Sequence, residues 1–128
     1  MTVYEKITAG TDLSWLPEEA YETFSGCFDL RVEEMAAGKR FDTAGCVACL
    51  LRGAGEVGAS DLEEGAFLGI DAQGRPQRQV FTSHVSCTLL VLDDAVMKHV
   101  CYRACWFHAR FLEEARRSAA QRTYRIGE

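Results

Sequence analysis

A chain of 128 residues, 48% hydrophobic and 26% charged, suffices for one compact domain and carries enough apolar surface to offset chain entropy, which excludes intrinsic disorder. No apolar run approaches the ~20 residues of a membrane-spanning helix, and Met1 to Lys6 lacks the basic-then-apolar pattern of a secretory leader, so a cytoplasmic protein with no membrane partner is expected. Net charge is −5, with 13 acidic and 5 basic side chains in residues 1–64 against 6 acidic and 9 basic in residues 65–128, so the first half repels phosphate backbones.

In chain order, a short first helix comes first. Asp12 or Ser14 can cap it, Pro17 fits its first turn, and Glu18 and Glu19 suit the positive end of its dipole. Trp15, Leu16, Ala20 and Phe24 lie close to one face, and Gly26 ends it. From residue 28 to residue 92 the pattern changes to short β-branched and aromatic segments punctuated by glycines. Leu30 and Val32 alternate with polar neighbours, Cys46 to Leu51 is a compact apolar run, and Val80 to Leu92 reads as one long strand or two strands joined by a bend. Glycines 53, 65 and 69 suit tight corners, and a closed roll hides sheet edges. The expectation is a mainly β protein, an antiparallel β-roll or jelly roll over about 28–92.

After Leu92 the pattern becomes helical. Asp93 and Asp94 can cap it, and residues 95–126 contain neither Gly nor Pro, enough for two helices or one of roughly thirty residues, about 45 Å long. Ala104, Phe107, Phe111, Ala115, Ala119 and Ile126 form a broken apolar stripe. Part of it can cover the β core and part can meet the same helix of a second subunit. Arg110, Arg116, Arg117, Arg122 and Arg125 read more readily as a solvated helix face than as a phosphate patch.

Four segments in order carry a family resemblance. Met35-Ala-Ala-Gly-Lys-Arg-Phe41 is similar to a tight turn from which a strand resumes. Cys49-Leu-Leu-Arg-Gly-Ala-Gly-Glu-Val57 is similar to a central hairpin, and Glu64-Gly-Ala-Phe-Leu-Gly69 to a Gly-x-Phe-apolar-Gly step. Cys87-Thr-Leu-Leu-Val-Leu-Asp-Asp-Ala-Val-Met97 is similar to a last strand running into a helix. Together, from about Leu16 to about Arg122, they resemble the effector domain of the Crp-Fnr bacterial transcription regulators, the cyclic-nucleotide-binding β-roll. The resemblance implies a single effector-sensing domain over 1–128, a homodimer through the C-terminal helix region at about 93–126, and a small-molecule effector. DNA contact would come only through a helix-turn-helix following the long helix, a domain this chain does not contain.

The resemblance also implies a phosphate cassette after the Gly-x-Phe step, with an acidic residue for the ribose and an Arg for the cyclic phosphate. This sequence departs from it. Ile70 stands at the acidic position, Asp71 is one residue late, and Arg78 is followed by Gln79 and Val80 rather than by Ser or Thr and Ala. Arg78 is then a solvated loop charge before it is a phosphate clamp. A concave site in a β-roll still suits a small molecule. Phe67, Gly69, Ile70, Arg78, Gln79, Phe81 and Ser83 are the candidate ligand-binding residues, for an apolar or weakly acidic effector of unknown identity.

Redox, metal and catalytic chemistry find less support. Cys46 and Cys49 form a Cys-x-x-Cys in a strand, where residues three apart face opposite ways, so core thiols outrank ligands. Cys101, Cys105 and His108 can share one helical face, and a packed thiol stripe outranks a metal site there. No cysteine precedes Cys27, against an Fnr-type iron–sulfur cluster, and His84, His99 and His108 stand in no haem motif. No cofactor, metal or catalytic residue is expected, and the protein is not expected to be an enzyme. The alternatives are a stand-alone cupin-like small-molecule or metal-binding protein or enzyme, although only His84 lies among the strands, and a dimerisation module whose pocket has decayed.

Overall fold

The computed structural model describes residues 2–98 and 106–127, with side chains described as far as residue 120. The chain begins with α1 (Val3–Thr8), which the sequence reading did not anticipate. Thr2 caps it by accepting from the Glu5 N–H, and Ile7 is its one buried anchor, too short a signal for a helical period. Next comes α2 (Glu18–Phe28), entered from Pro17. It runs past Gly26, where a stop was expected, and ends at Asp29 in the left-handed conformation. Phe28, packed against Phe24 and His108, accounts for the extra half turn: tertiary contact outweighs the ~1 kcal/mol that glycine costs inside a helix.

Among the described residues eight strands follow: β1 (Arg31–Met35), β2 (Arg40–Asp42), β3 (Cys46–Arg52), β4 (Gly55–Val57), β5 (Ser60–Leu62), β6 (Phe67–Leu68), β7 (Val80–Ser83) and β8 (Cys87–Asp93). They form two antiparallel four-stranded sheets, ordered β1-β8-β3-β6 and β2-β7-β4-β5. The long run from Val80 to Leu92 is therefore two strands in different sheets, separated at residues 84–86. The segment Cys49 to Val57 is not a hairpin: β3 and β4 lie in different sheets, and the chain crosses between them at Gly53 and Ala54. The hairpin is β4–β5. After β8 come α3 (Ala95–Lys98) and α4 (Trp106–Gly127).

The core is double. Between the sheets lie Ala48, Leu50, Leu62, Leu68, Phe81 and Leu89, with Val91 and Cys87. Between the first sheet and the helices lie Val47, Cys49, Leu51, Phe67, Leu90 and Leu92, met by Ile7, Leu16, Phe24, Phe107 and Phe111. Successive residues of β3 and β8 thus serve opposite layers. A strand buried on both faces is apolar throughout, which is why Cys46 to Leu51 and Leu89 to Leu92 show no alternation. The second sheet has one solvated face, and β7 alternates accordingly, with Val80 exposed and Phe81 buried.

His108 excludes a single straight helix from Val96 through α4. Its Nε2 donates to the Val96 carbonyl at 2.9 Å, though twelve residues along one straight helix would separate them by about 18 Å. Phe107, Phe111, Ala115 and Ala119 are buried against the sheet and α2, so the described part of the apolar stripe covers this chain's own β core. Ala104 and the Ile126 side chain lie outside the described residues. No helix among the described residues is long and apolar enough to cross a membrane.

Candidate functional site

The segment where a phosphate cassette was expected is a tight hairpin. Ile70 bridges Pro76, Asp71 N–H donates to the Arg75 carbonyl, and Gln77 N–H donates to the Gly69 carbonyl. Its turn is organised by Asp71, whose Oδ1 accepts from Gln73 N–H and Arg75 N–H, both at 2.9 Å, while Gly74 N–H donates to the Asp71 carbonyl. The Arg75 N–H, helped by that of Gln73, holds the Asp71 carboxyl below its ordinary range. Asp71, one residue late for a ribose contact, thus supplies the turn with its own anion.

The seven predicted residues are distributed as follows. Phe67 and Ile70 are buried in the layer between the first sheet and the helices, and Phe81 in the layer between the sheets. Ser83 lies on the same face of β7 as Phe81, where its hydroxyl donates to the Ala36 carbonyl at 2.7 Å and accepts from Lys39 N–H. Gly69 and Gln79 meet at the seam: Gln79 Oε1 accepts from Gly69 N–H at 2.8 Å, and Gln79 Nε2 donates to the Ile70 carbonyl. Gln79 is held in turn by Thr43, whose Oγ1 accepts from Gln79 N–H at 2.8 Å. Arg78 stands on the surface, its guanidinium paired with Asp42 at 2.6 Å. The structure brings Gly69, Ile70 and Gln79 together, keeps Phe67 and Phe81 in separate layers, and leaves Arg78 apart. Thr43 was not singled out in the sequence, because a threonine 36 residues from its partner leaves no local signal.

Arg78 lowers the Asp42 carboxyl from its ordinary 3.8 by hydrogen bonding, with Ala44 N–H adding to the effect. A lowered folded value means that the pairing stabilises above the ordinary pKa and is lost as pH falls through the folded one. In Arg78→Gln the Asp42 titration, followed by carboxyl NMR, is expected to move up towards 3.8. An unmoved titration would show that the pair does not persist in solution.

Helix α4 lies over β6 and touches this hairpin. Phe67 N–H donates to Ser118 Oγ at 3.0 Å, the Phe67 and Phe111 rings meet edge to face at 5.3 Å, and the Gly74 backbone lies against the Arg116 side chain. Beside it, the segment Asp61 to Ala66 and α4 enclose a cleft of about 280 Å³ lined by Asp12, Asp61, Glu63, Glu64, Glu114 and Arg117. One cation among five carboxylates makes the cleft electronegative, so it favours a cationic occupant.

The cysteines fall as the strand period implies. Cys46 packs towards the second sheet and Cys49 towards the helices, so their sulfurs cannot share a ligand. Burial pushes both thiols up, that of fully enclosed Cys49 far more. His108 is buried between Phe24 and Phe28 and committed to Val96. Cys101, Cys105 and His99 lie outside the described residues.

No protein-family model matches the chain, and no curated protein matches it. Among solved structures it is similar to a candidate cyclic nucleotide-binding protein of Geobacter metallireducens, at 14% identity and a TM-score of 0.56, with 97% of each chain covered. The fold is therefore the cyclic-nucleotide-binding type of β-roll, with helices before and after it.

Proposed function

We propose that the chain is an effector-sensing domain of a Crp-Fnr-like transcription regulator, a non-catalytic module in which α4 reports the state of the roll to a dimer partner. The observation that carries this reading is the docking of α4 on β6 through Phe67 and Ser118, with the Arg116 side chain against Gly74 of the hairpin that follows. A ligand that moves the 69–77 hairpin or the adjacent cleft changes the seat of α4, and a docked helix with two discrete seats converts binding into geometry. DNA recognition would belong to a separate domain.

The effector is a small molecule other than a cyclic nucleotide. A cyclic phosphate would have to displace the Asp71 carboxylate from Gln73 and Arg75 N–H, and Gln79 from Gly69 N–H, while Arg78 is held by Asp42. The homodimer would engage the outward face of α4, where Trp106, 58% exposed, stands near Arg110, Glu113 and Arg117.

Two measurements test this. Sedimentation velocity is expected to give twice the 14.2 kDa of the chain, with Trp106→Ser shifting it towards monomer. A monomer at all concentrations would remove the dimer from the reading. Cyclic AMP at about 1 mM is expected to shift the melting temperature by less than ~1 °C. Strong stabilisation would restore the cyclic nucleotide as effector.

A further inference from the structure

The solvated face of the second sheet brings together two side chains of the β4–β5 hairpin and a third from far along the chain. Because Val57 and Leu62 point to the inter-sheet layer, Glu56 of β4 and Asp61 of β5 point outward, and the strand register sets them directly opposite one another. His84, just beyond β7, is fixed by its N–H donating to the Ala54 carbonyl at 2.9 Å, and its Nε2 lies 3.7 Å from Glu56 Oε1. One donor atom from each of the three lies within 4.8 Å of the others.

We propose that Glu56, Asp61 and His84 form a binding site for a divalent first-row transition ion, with zinc the best match. Two carboxylates facing each other across an antiparallel pair repel, and a shared cation removes that cost. The imidazole nitrogen selects against calcium and magnesium, which take oxygen ligands, and in favour of zinc and its neighbours. Tetrahedral binding at bonds of ~2.1 Å needs donors about 3.4 Å apart. Glu56 and His84 side chains, each 44% exposed, have room to close that remaining distance. Three protein ligands leave one coordination position for water or an exogenous ligand.

The site would clip the edge strand β5 to β4 and to the start of the β7–β8 turn. Asp61 also lines the cleft beside α4, so a bound ion would brace the lip of that cleft. Metal binding here does not depend on the sensor reading: none of the three residues belongs to the cassette hairpin, and Asp61 alone also borders the cleft.

The test uses the full chain, stripped with a chelator and titrated at pH 7 with Co²⁺ and then Zn²⁺. One equivalent of Co²⁺ is expected to give weak visible d–d bands without the near-ultraviolet band of a thiolate complex. Zinc at ~100 μM is expected to raise the melting temperature by about 5 °C. His84→Ala and Glu56→Gln are each expected to weaken binding at least tenfold. Metal-free Glu56→Gln should melt no lower than the wild type, because it removes the facing charge. A thiolate band, binding unchanged in both variants, equal stabilisation by Mg²⁺, or no binding below ~1 mM would each overturn the assignment.

Discussion

Gly69→Ala is expected to destabilise the protein by about 3 kcal/mol, summing the cost of strained backbone and overpacking. The residue has φ +86°, where an L side chain is strained, and an added Cβ would sit 2.6 Å from the Cys46 carbonyl oxygen and 3.1 Å from Thr43 Cβ. The first of those atoms is backbone in a central strand and cannot swing aside. The displaced loop would also loosen the Gly69 N–H to Gln79 bond that closes the seam. Gly58→Ala is the matched control: φ is +58°, but nothing lies within 4 Å of the new Cβ, so only the backbone cost of about 1 kcal/mol remains. Urea unfolding of both variants measures the difference. Equal losses would show that close approach at Gly69 carries no weight.

That glycine illustrates what the sequence discloses and what it hides. Gly69 is visible in the Gly-x-Phe-apolar-Gly step, and a need for unusual backbone there is legible. Its partner is not, because Cys46 approaches from another strand. The roll itself was readable from the glycine punctuation between residues 28 and 92 and the abrupt loss of glycine after Leu92. Strand membership was less so: Cys49 to Val57 looks like a hairpin because both halves are strands, whereas Gly53 sends the chain into the other sheet. Helix α1 escaped because one and a half turns with a single buried residue have no period.

The candidate site divides in the same way. The degraded cassette was legible in Ile70 and in the residues after Arg78. What replaced it was legible only in part: the Asp71-centred turn joins near neighbours along the chain, whereas the Gln79–Thr43 clasp joins positions 36 residues apart. Arg78 shows the limit of reading a charge in isolation, since its partner Asp42 lies 36 residues earlier. Glu56, Asp61 and His84 are the extreme case. The register of β4 and β5 pairs Glu56 with Asp61 across a short hairpin, but only the corner after β7 brings His84 to them, and no spacing in the chain announces that.

Phe111→Ala is expected to cost about 4 kcal/mol, the typical loss for emptying a buried phenylalanine site. The side chain is 1% exposed, with ring centroids 5.4 Å from Phe24 and 5.3 Å from Phe67, so it joins α4 at once to α2 and to the first sheet. The loss should be uneven. Phe111 belongs to the helix-facing core, and the inter-sheet core of Leu50, Phe81 and Leu89 lies on the other side of β3 and β8. Hydrogen exchange is therefore expected to show α4 and the Phe67 N–H losing protection while β4 and β7 keep most of theirs. Phe81→Ala should reverse that order. Should Phe111→Ala exceed the total stability, Phe111→Leu keeps the comparison accessible at a smaller cost. A uniform loss across both layers would mean that the two cores unfold as one unit. Helix α4 could not then shift its seat while the roll stays folded, and the coupling proposed for it would fail.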